Sequence, residues 1–206
     1  MLFNMVLPRK VNKGRLPVGY QEVEYIQSSG TQCINTEYKP TSENFKVVYD
    51  FEYPSSDTTG SLFGSATPRG PYSIVAYNAL SFYVGTSGAL LPQTVTIQTR
   101  YSLAAQAKNN VLSVSLNGNT QTKAYNGSIF KTHSLHLFSS SNLGTAYQFC
   151  TIKLYACQIY DNDILVRDYV PCYQISSGTI GLYDLVNGVF YTNAGSGSFT
   201  IGADKI

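Results

Sequence analysis

Asn-Gly occurs three times in this chain, at 117–118, 126–127 and 187–188, each time beside runs that alternate apolar and polar side chains. Both residues tolerate the positive φ that the central positions of a type I′ turn require, so each pair marks a two-residue β-hairpin. A chain punctuated this way folds mainly by antiparallel strand pairing. The cleanest alternation runs over 45–53. There Phe45, Val47, Tyr49, Phe51 and Tyr53 share one face and Lys46, Val48, Asp50 and Glu52 the other, as in a half-buried antiparallel strand.

The segment 151–193 is the expected spine. TIKLYACQIY has the length and the aromatic and aliphatic content of a central strand, and Asp161, Asn162 and Asp163 supply turn chemistry after it. ILVRDYVPCY is a second extended run. Pro171 donates no ladder hydrogen bond, so that run is expected to end there or lie at an edge. TIGLYDL then enters the hairpin whose turn is Asn187-Gly188.

Upstream, QEVEYIQ alternates as one strand, with Val23, Tyr25 and Gln27 opposite Glu22, Glu24 and Ile26. SLFGS is a short strand and TPRGP a loop carrying Arg69. YSIVAYNALSFYVG reads as two strands turning near Tyr77, Asn78 and Ala79, closed by 85–88. TVTIQTRYSLAAQ continues the sheet, with a helical turn or two as the alternative over 102–107. A hairpin pairs the run ending at Lys108-Asn109-Asn110 with VLSVSLNGNTQTKAY. In HSLHLFSSSN, His133, Leu135 and Leu137 share a face opposite His136 and Phe138, and SSSNLGTAY is a rim loop.

At 206 residues, with no repeat and no internal linker, the chain is expected to be one sandwich over 16–206 preceded by an arm over 1–15. The arm starts apolar (Leu2, Phe3, Met5, Val6, Leu7) and continues basic (Arg9, Lys10, Lys13, Arg15). The segment reads either as a disordered terminus or, since free tails are usually polar, as an anchor on a neighbouring subunit. The order, apolar before basic, is the reverse of a secretory signal, and no apolar run nears the roughly 20 residues that span a bilayer.

Only 13% of residues are charged, against about 25% typically, while 17 are Tyr and none is Trp. The surface must rely on hydroxyls, amides and tyrosine rings, which suits polar recognition or close packing in an assembly. Net charge +2 without a clustered basic face excludes a general nucleic-acid binder. The four cysteines, at 33, 150, 157 and 172, form no CxxC pair and read as free thiols of a cytosol-made protein. Cys150 and Cys157, an odd number of residues apart, would face opposite sides of one strand.

LYACQIYDNDILVRDYVPCY, GLYDLVNGVFYTN and GSGSFTIG, with the opening LPVGYQEVEYIQSSGTQCINTEY, resemble the signatures of concanavalin A-like (laminin G-like) jelly-roll domains. The type is common in proteins of bacteriophages and of gut bacteria, and the resemblance spans 16–204. It implies a two-sheet antiparallel jelly-roll sandwich. It also implies three roles on one scaffold. The first is a virion structural or decoration protein made in the bacterial cytoplasm and bound to other virion proteins through its arm. The second is a carbohydrate-binding adhesin. The third is a glycan hydrolase. A homo-oligomer is left open.

For sugar binding, Arg69, Tyr72, Tyr77, Asn78 and Tyr83 offer rings, an amide and a guanidinium on adjacent strands and loops. For hydrolysis, the resembled glucanases carry three acidic residues on one strand face, whereas Asp50 and Glu52 are only two and Pro54 ends the run, so no enzyme is expected. His133 and His136, on opposite faces, make no nucleophile relay. Calcium, which such domains often carry, needs six to eight oxygens. Asp161 and Asp163, with Asn162, are the nearest cluster, but a tight turn uses such side chains for its own backbone, so no metal or cofactor is assigned. Arg167 and Asp168, which match the signature, are expected to pair structurally near a strand end.

Overall fold

The computed structural model describes residues 14–55, 59–65, 71–76, 79–84, 87–126 and 132–206, leaving out the side chains of 72–76 and 87–93. Among the described residues there is no helix. The strands are β1 (Tyr20–Glu22), β2 (Ile26–Gln27), β3 (Ile34–Asn35), β4 (Phe45–Glu52), β5 (Gly60–Gly64), β6 (Pro71–Ala76), β7 (Ala79–Val84), β8 (Ser87–Thr94), β9 (Arg100–Lys108), β10 (Val111–Leu116), β11 (Asn119–Ala124), β12 (His136–Leu137), β13 (Ser140–Asn142), β14 (Thr145–Tyr147), β15 (Lys153–Asp161), β16 (Ile164–Gln174), β17 (Ile180–Asp184), β18 (Val189–Thr192) and β19 (Thr200–Ile201).

Two antiparallel sheets stack. The large one runs β11-β10-β9-β4-β15-β16-β17-β18, with β1 on β16 and β2 joining β15 to β19; the small one runs β3-β12-β5-β6-β7-β8. The alternation over 45–53 positions the core. Phe45, Val47, Tyr49, Phe51 and Tyr53 are all fully buried, and they meet Leu62, Phe63, Leu80, Phe82, Leu135 and Leu137 in one apolar cluster. Each fully buried aromatic or aliphatic side chain of this kind contributes about 1.5–3 kcal/mol. β15 lies centrally, between β4 and β16, as its composition predicts.

Turn chemistry sets three registers directly. Asn109-Asn110, Asn117-Gly118 and Asn162-Asp163 each have positive φ at both positions, and each closes a two-residue hairpin. Asn187-Gly188 differs. Asp184 pairs with Val189, so the loop has four residues, and of the Asn-Gly pair only Gly188 has positive φ. The side chain of Asp184, bonded to the Asn187 amide and the Val186 N–H, builds the longer turn. Gly127 lies outside the described residues.

Several expectations are corrected by long-range pairing. Residues 102–107 are strand, within β9, because both edges of that segment pair, with β4 and with β10. β16 continues through Pro171, which stands opposite Leu182. Its carbonyl accepts from the Val23 N–H, so its nitrogen faces the seam where β1 replaces β15 as neighbour. QEVEYIQ breaks into β1 and β2, and Val23 and Ile26 are both buried, although strict alternation would have put them on opposite faces. TVTIQTRYSLAAQ is interrupted too: β8 and β9 belong to different sheets and 95–99 join them. The segment 87–94 is strand, and it carries Pro92 on an edge. SSSNLGTAY contains the β13–β14 hairpin.

All four cysteines are free and buried. Cys150 precedes β15, and it reaches the same core as Cys157.

Candidate functional site

Across the middle of the small sheet the ladder aligns one residue from each strand. Asn35 pairs with His136, His136 with Gly64, Gly64 with Tyr72, Tyr72 with Tyr83, and Tyr83 with Gly88. The next rung contains Ile34, Leu137 and Phe63, all in the core. Successive strand residues face opposite sides, so the His136 rung belongs to the outer face. Tyr83 is half-buried between Phe82 and Val84, which point inward. In the ladder the Tyr72–Tyr83 pair lies between Gly64 and Gly88.

His136 is 3% exposed, and neither ring nitrogen has a hydrogen-bond partner. Burial pushes its pKa down, so the ring is neutral, with one donor and one acceptor unused. A buried polar group without a protein partner costs about 1–3 kcal/mol, and both His136 nitrogens are fully buried.

The structure thus brings together two of the five sugar-site residues predicted from sequence, Tyr72 and Tyr83. Arg69, Tyr77 and Asn78 lie outside the described residues. Ala76 and Ala79 pair at the far end of the β6–β7 hairpin, about 13 Å from the Tyr72–Tyr83 rung by strand rise. Sequence reasoning missed His136, Gly64 and Gly88. The one available signal was the position of His136 between Leu135 and Leu137.

The outer face of the large sheet is arranged differently. Arg100 donates two bonds to Asp50, at 2.8 and 2.6 Å, and lies 3.9 Å over the Tyr155 ring. Lys153 and the Tyr155 hydroxyl both donate to Glu52, at 2.7 and 2.9 Å. Tyr25 meets Tyr155 edge-on and carries Lys153 over its own ring. Burial raises the Glu52 carboxyl, but the bonds from Lys153 and Tyr155 outweigh it and hold it below the usual carboxylate range. A glycosidase acid needs the opposite shift, so Glu52 does not suit that role.

Asp161 and Asp163 are also engaged. Asp161 accepts from the Tyr38 hydroxyl at 2.5 Å, from the Thr41 N–H and hydroxyl, and from Ser42. Asp163 accepts from Lys108 and Asn44. Burial raises the Asp161 carboxyl, and the donors from Ser42, Thr41 and Tyr38 more than reverse it. No group of three or more His, Cys, Asp or Glu that could hold a metal occurs among the described residues. Arg167 pairs with the fully buried Asp184 at 3.4 Å rather than with Asp168, which instead accepts from Gln158.

A polar hollow of about 430 Å³ opens beside Thr179, Thr192, Asn193, Ser198 and Phe199. The Asn193 amide there is spent on the backbone of Cys33, Gly195 and Gly197.

No protein-family model matches the chain, and no curated protein matches it in sequence. Solved structures do. CBM40 of the Ruminococcus gnavus IT-sialidase, bound to α2,3-sialyllactose, is 14% identical with a TM-score of 0.56, over 68% of this chain and 90% of that one. The SAP-like pentraxin of Limulus polyphemus is 12% identical with a TM-score of 0.55, over 89% and 94%. Domains LG4-5 of the mouse laminin α1 chain are 10% identical with a TM-score of 0.52, over 78% and 48%. At such identities the likeness is one of fold, and the fold is the concanavalin A-like jelly roll.

Proposed function

We propose that the chain is a non-catalytic carbohydrate-binding domain that reads glycan on the outer face of its small sheet. The observation that carries this is the rung His136–Gly64–Tyr72–Tyr83–Gly88. Two tyrosines stand opposite each other between two glycines, and an imidazole with no protein partner shares their face. Tyrosine rings suit the C–H faces of a sugar. Arg69, in the β5–β6 connection, is the residue proposed to meet a charged substituent. The CBM40 neighbour, seen with a bound sialyllactose, supports the class by analogy of fold.

The role expected first from the sequence, a virion component held by its arm, has no observation of its own among the described residues. The second expectation is therefore adopted.

The test is a glycan array probed with the full chain and with Tyr83→Ala. Binding to a defined set of oligosaccharides, weakened at least tenfold by the substitution, is expected. Silence of the folded wild-type chain across the array would remove the proposal.

A further inference from the structure

The polar hollow lies where β17 begins and β18 ends, beside the rung in which Gly181 pairs with Thr192. One wall is Gly178 and Thr179, just before β17, and the other is Thr192 with the loop 193–199. The loop wall is fixed before any ligand arrives. The Asn193 Oδ1 accepts from the Cys33 and Gly195 N–H groups, and its Nδ2 donates to the Ser196 and Gly197 carbonyls. The Ala194 N–H bonds the Cys33 carbonyl, the Ser196 N–H bonds the Thr31 carbonyl, and the Thr31 hydroxyl donates to the Ser196 carbonyl. Glycine is required twice here. A Cβ at Gly195 would collide with the Thr31 carbonyl, and Gly197 combines a φ of +70° with the Gln32 amide 2.9 Å from where a Cβ would stand.

The lining selects a ligand class. Thr192 and Ser198 are exposed, and their hydroxyls bond no described residue. Ile180 is half-buried, and Phe199, 3% exposed, has its ring 4.9 Å from that of Phe138 in the core, so these two supply an apolar floor. Among the described residues no Asp, Glu, Lys, Arg or His lines the hollow. A charged ligand would give up water there without meeting a counter-charge. A wholly apolar one would cover the hydroxyls and leave them unbonded. A ring with hydroxyls on its edge and C–H groups on its face meets both demands, and about 430 Å³ falls within the range of small-molecule sites. We propose that this hollow is a second binding site, for a neutral sugar residue. It shares no residue with the His136–Gly64–Tyr72–Tyr83–Gly88 rung, so it stands or falls apart from the small-sheet site.

The test titrates the isotope-labelled full chain with D-glucose, D-galactose and N-acetyl-D-glucosamine, and with N-acetylneuraminic acid as the charged counterpart, each at millimolar concentration. Saturable amide shifts at Gly178, Gly195, Gly197 and Ser198 are expected with at least one neutral sugar and not with the acid. Ser198→Trp, at an exposed position, fills the hollow and should weaken that binding at least tenfold. Tyr83→Ala should leave it as in the wild type. Absence of saturable shifts at these amides with all three neutral sugars would overturn the proposal, as would an equal response to the acid. Shifts indifferent to Ser198→Trp, or lost in a folded Tyr83→Ala, would place the binding elsewhere and overturn it as well.

Discussion

The outer faces of the two sheets handle polar groups in opposite ways. On the large sheet Asp50, Glu52, Arg100, Lys153 and Tyr155 satisfy one another, and two tyrosine rings are covered by cations. On the small sheet a nearly buried imidazole has no protein hydrogen-bond partner, in the same ladder as a tyrosine pair flanked by glycines. The first arrangement stabilises the fold and has little left to offer a ligand. The second costs stability. Unsatisfied polar groups of this kind concentrate where function opposes stability.

Substitutions on the two faces should therefore give opposite signs. The largest effect is expected on the small sheet. Tyr72→Ala with Tyr83→Ala should weaken glycan binding by about 2 kcal/mol or more, roughly thirtyfold, with little change in melting temperature. Calorimetric titration checks this, and equal affinity would break the comparison. On the large sheet, Glu52→Ala strands Lys153 and the Tyr155 hydroxyl and should cost about 2 kcal/mol in denaturant unfolding, with glycan binding intact. His136→Leu should raise stability by about 1 kcal/mol, a shift of roughly 2–4 °C in Tm, while weakening binding. A lower Tm would show that the imidazole is already satisfied.

Acid separates the faces further. The His136 pKa is lowered by burial, so its neutral form favours the folded state. That stability is complete above about pH 6.5 and declines as pH falls below it, because the unfolded chain takes up the proton first. Glu52 is also lowered, so its contribution holds until about pH 4 and is lost below. Wild-type stability should therefore start to fall near pH 6.5, and His136→Leu should remove that early phase only. The smallest effect is expected from a chelator. With Asp161 and Asp163 held by protein donors, Tm should not move.

Much of this fold was legible because its signals are local. The 45–53 alternation, the Asn117-Gly118 turn and the Asn162-Asp163 turn follow from neighbours in sequence. What escaped depends on partners far along the chain. β3 and β12 are two residues long, too short for any periodic pattern, and they supply Asn35 and His136. The four-residue loop at Asn187-Gly188 is set by Asp184, and Pro171 sits within a strand because its neighbour changes there. At the candidate site the tyrosines were visible as residue types. The glycines that flank them, and the unbonded imidazole, emerge only from the register of five strand pairs.

The central claim is that the small sheet's outer face is the one that binds. The most direct measurement is titration of the isotope-labelled chain with the strongest glycan from the array, followed by amide and imidazole shifts. Changes centred on Asn35, His136, Gly64, Tyr83 and Gly88, with Tyr25 and Tyr155 unmoved, are predicted. Changes centred on Tyr25 and Tyr155 instead would contradict the account.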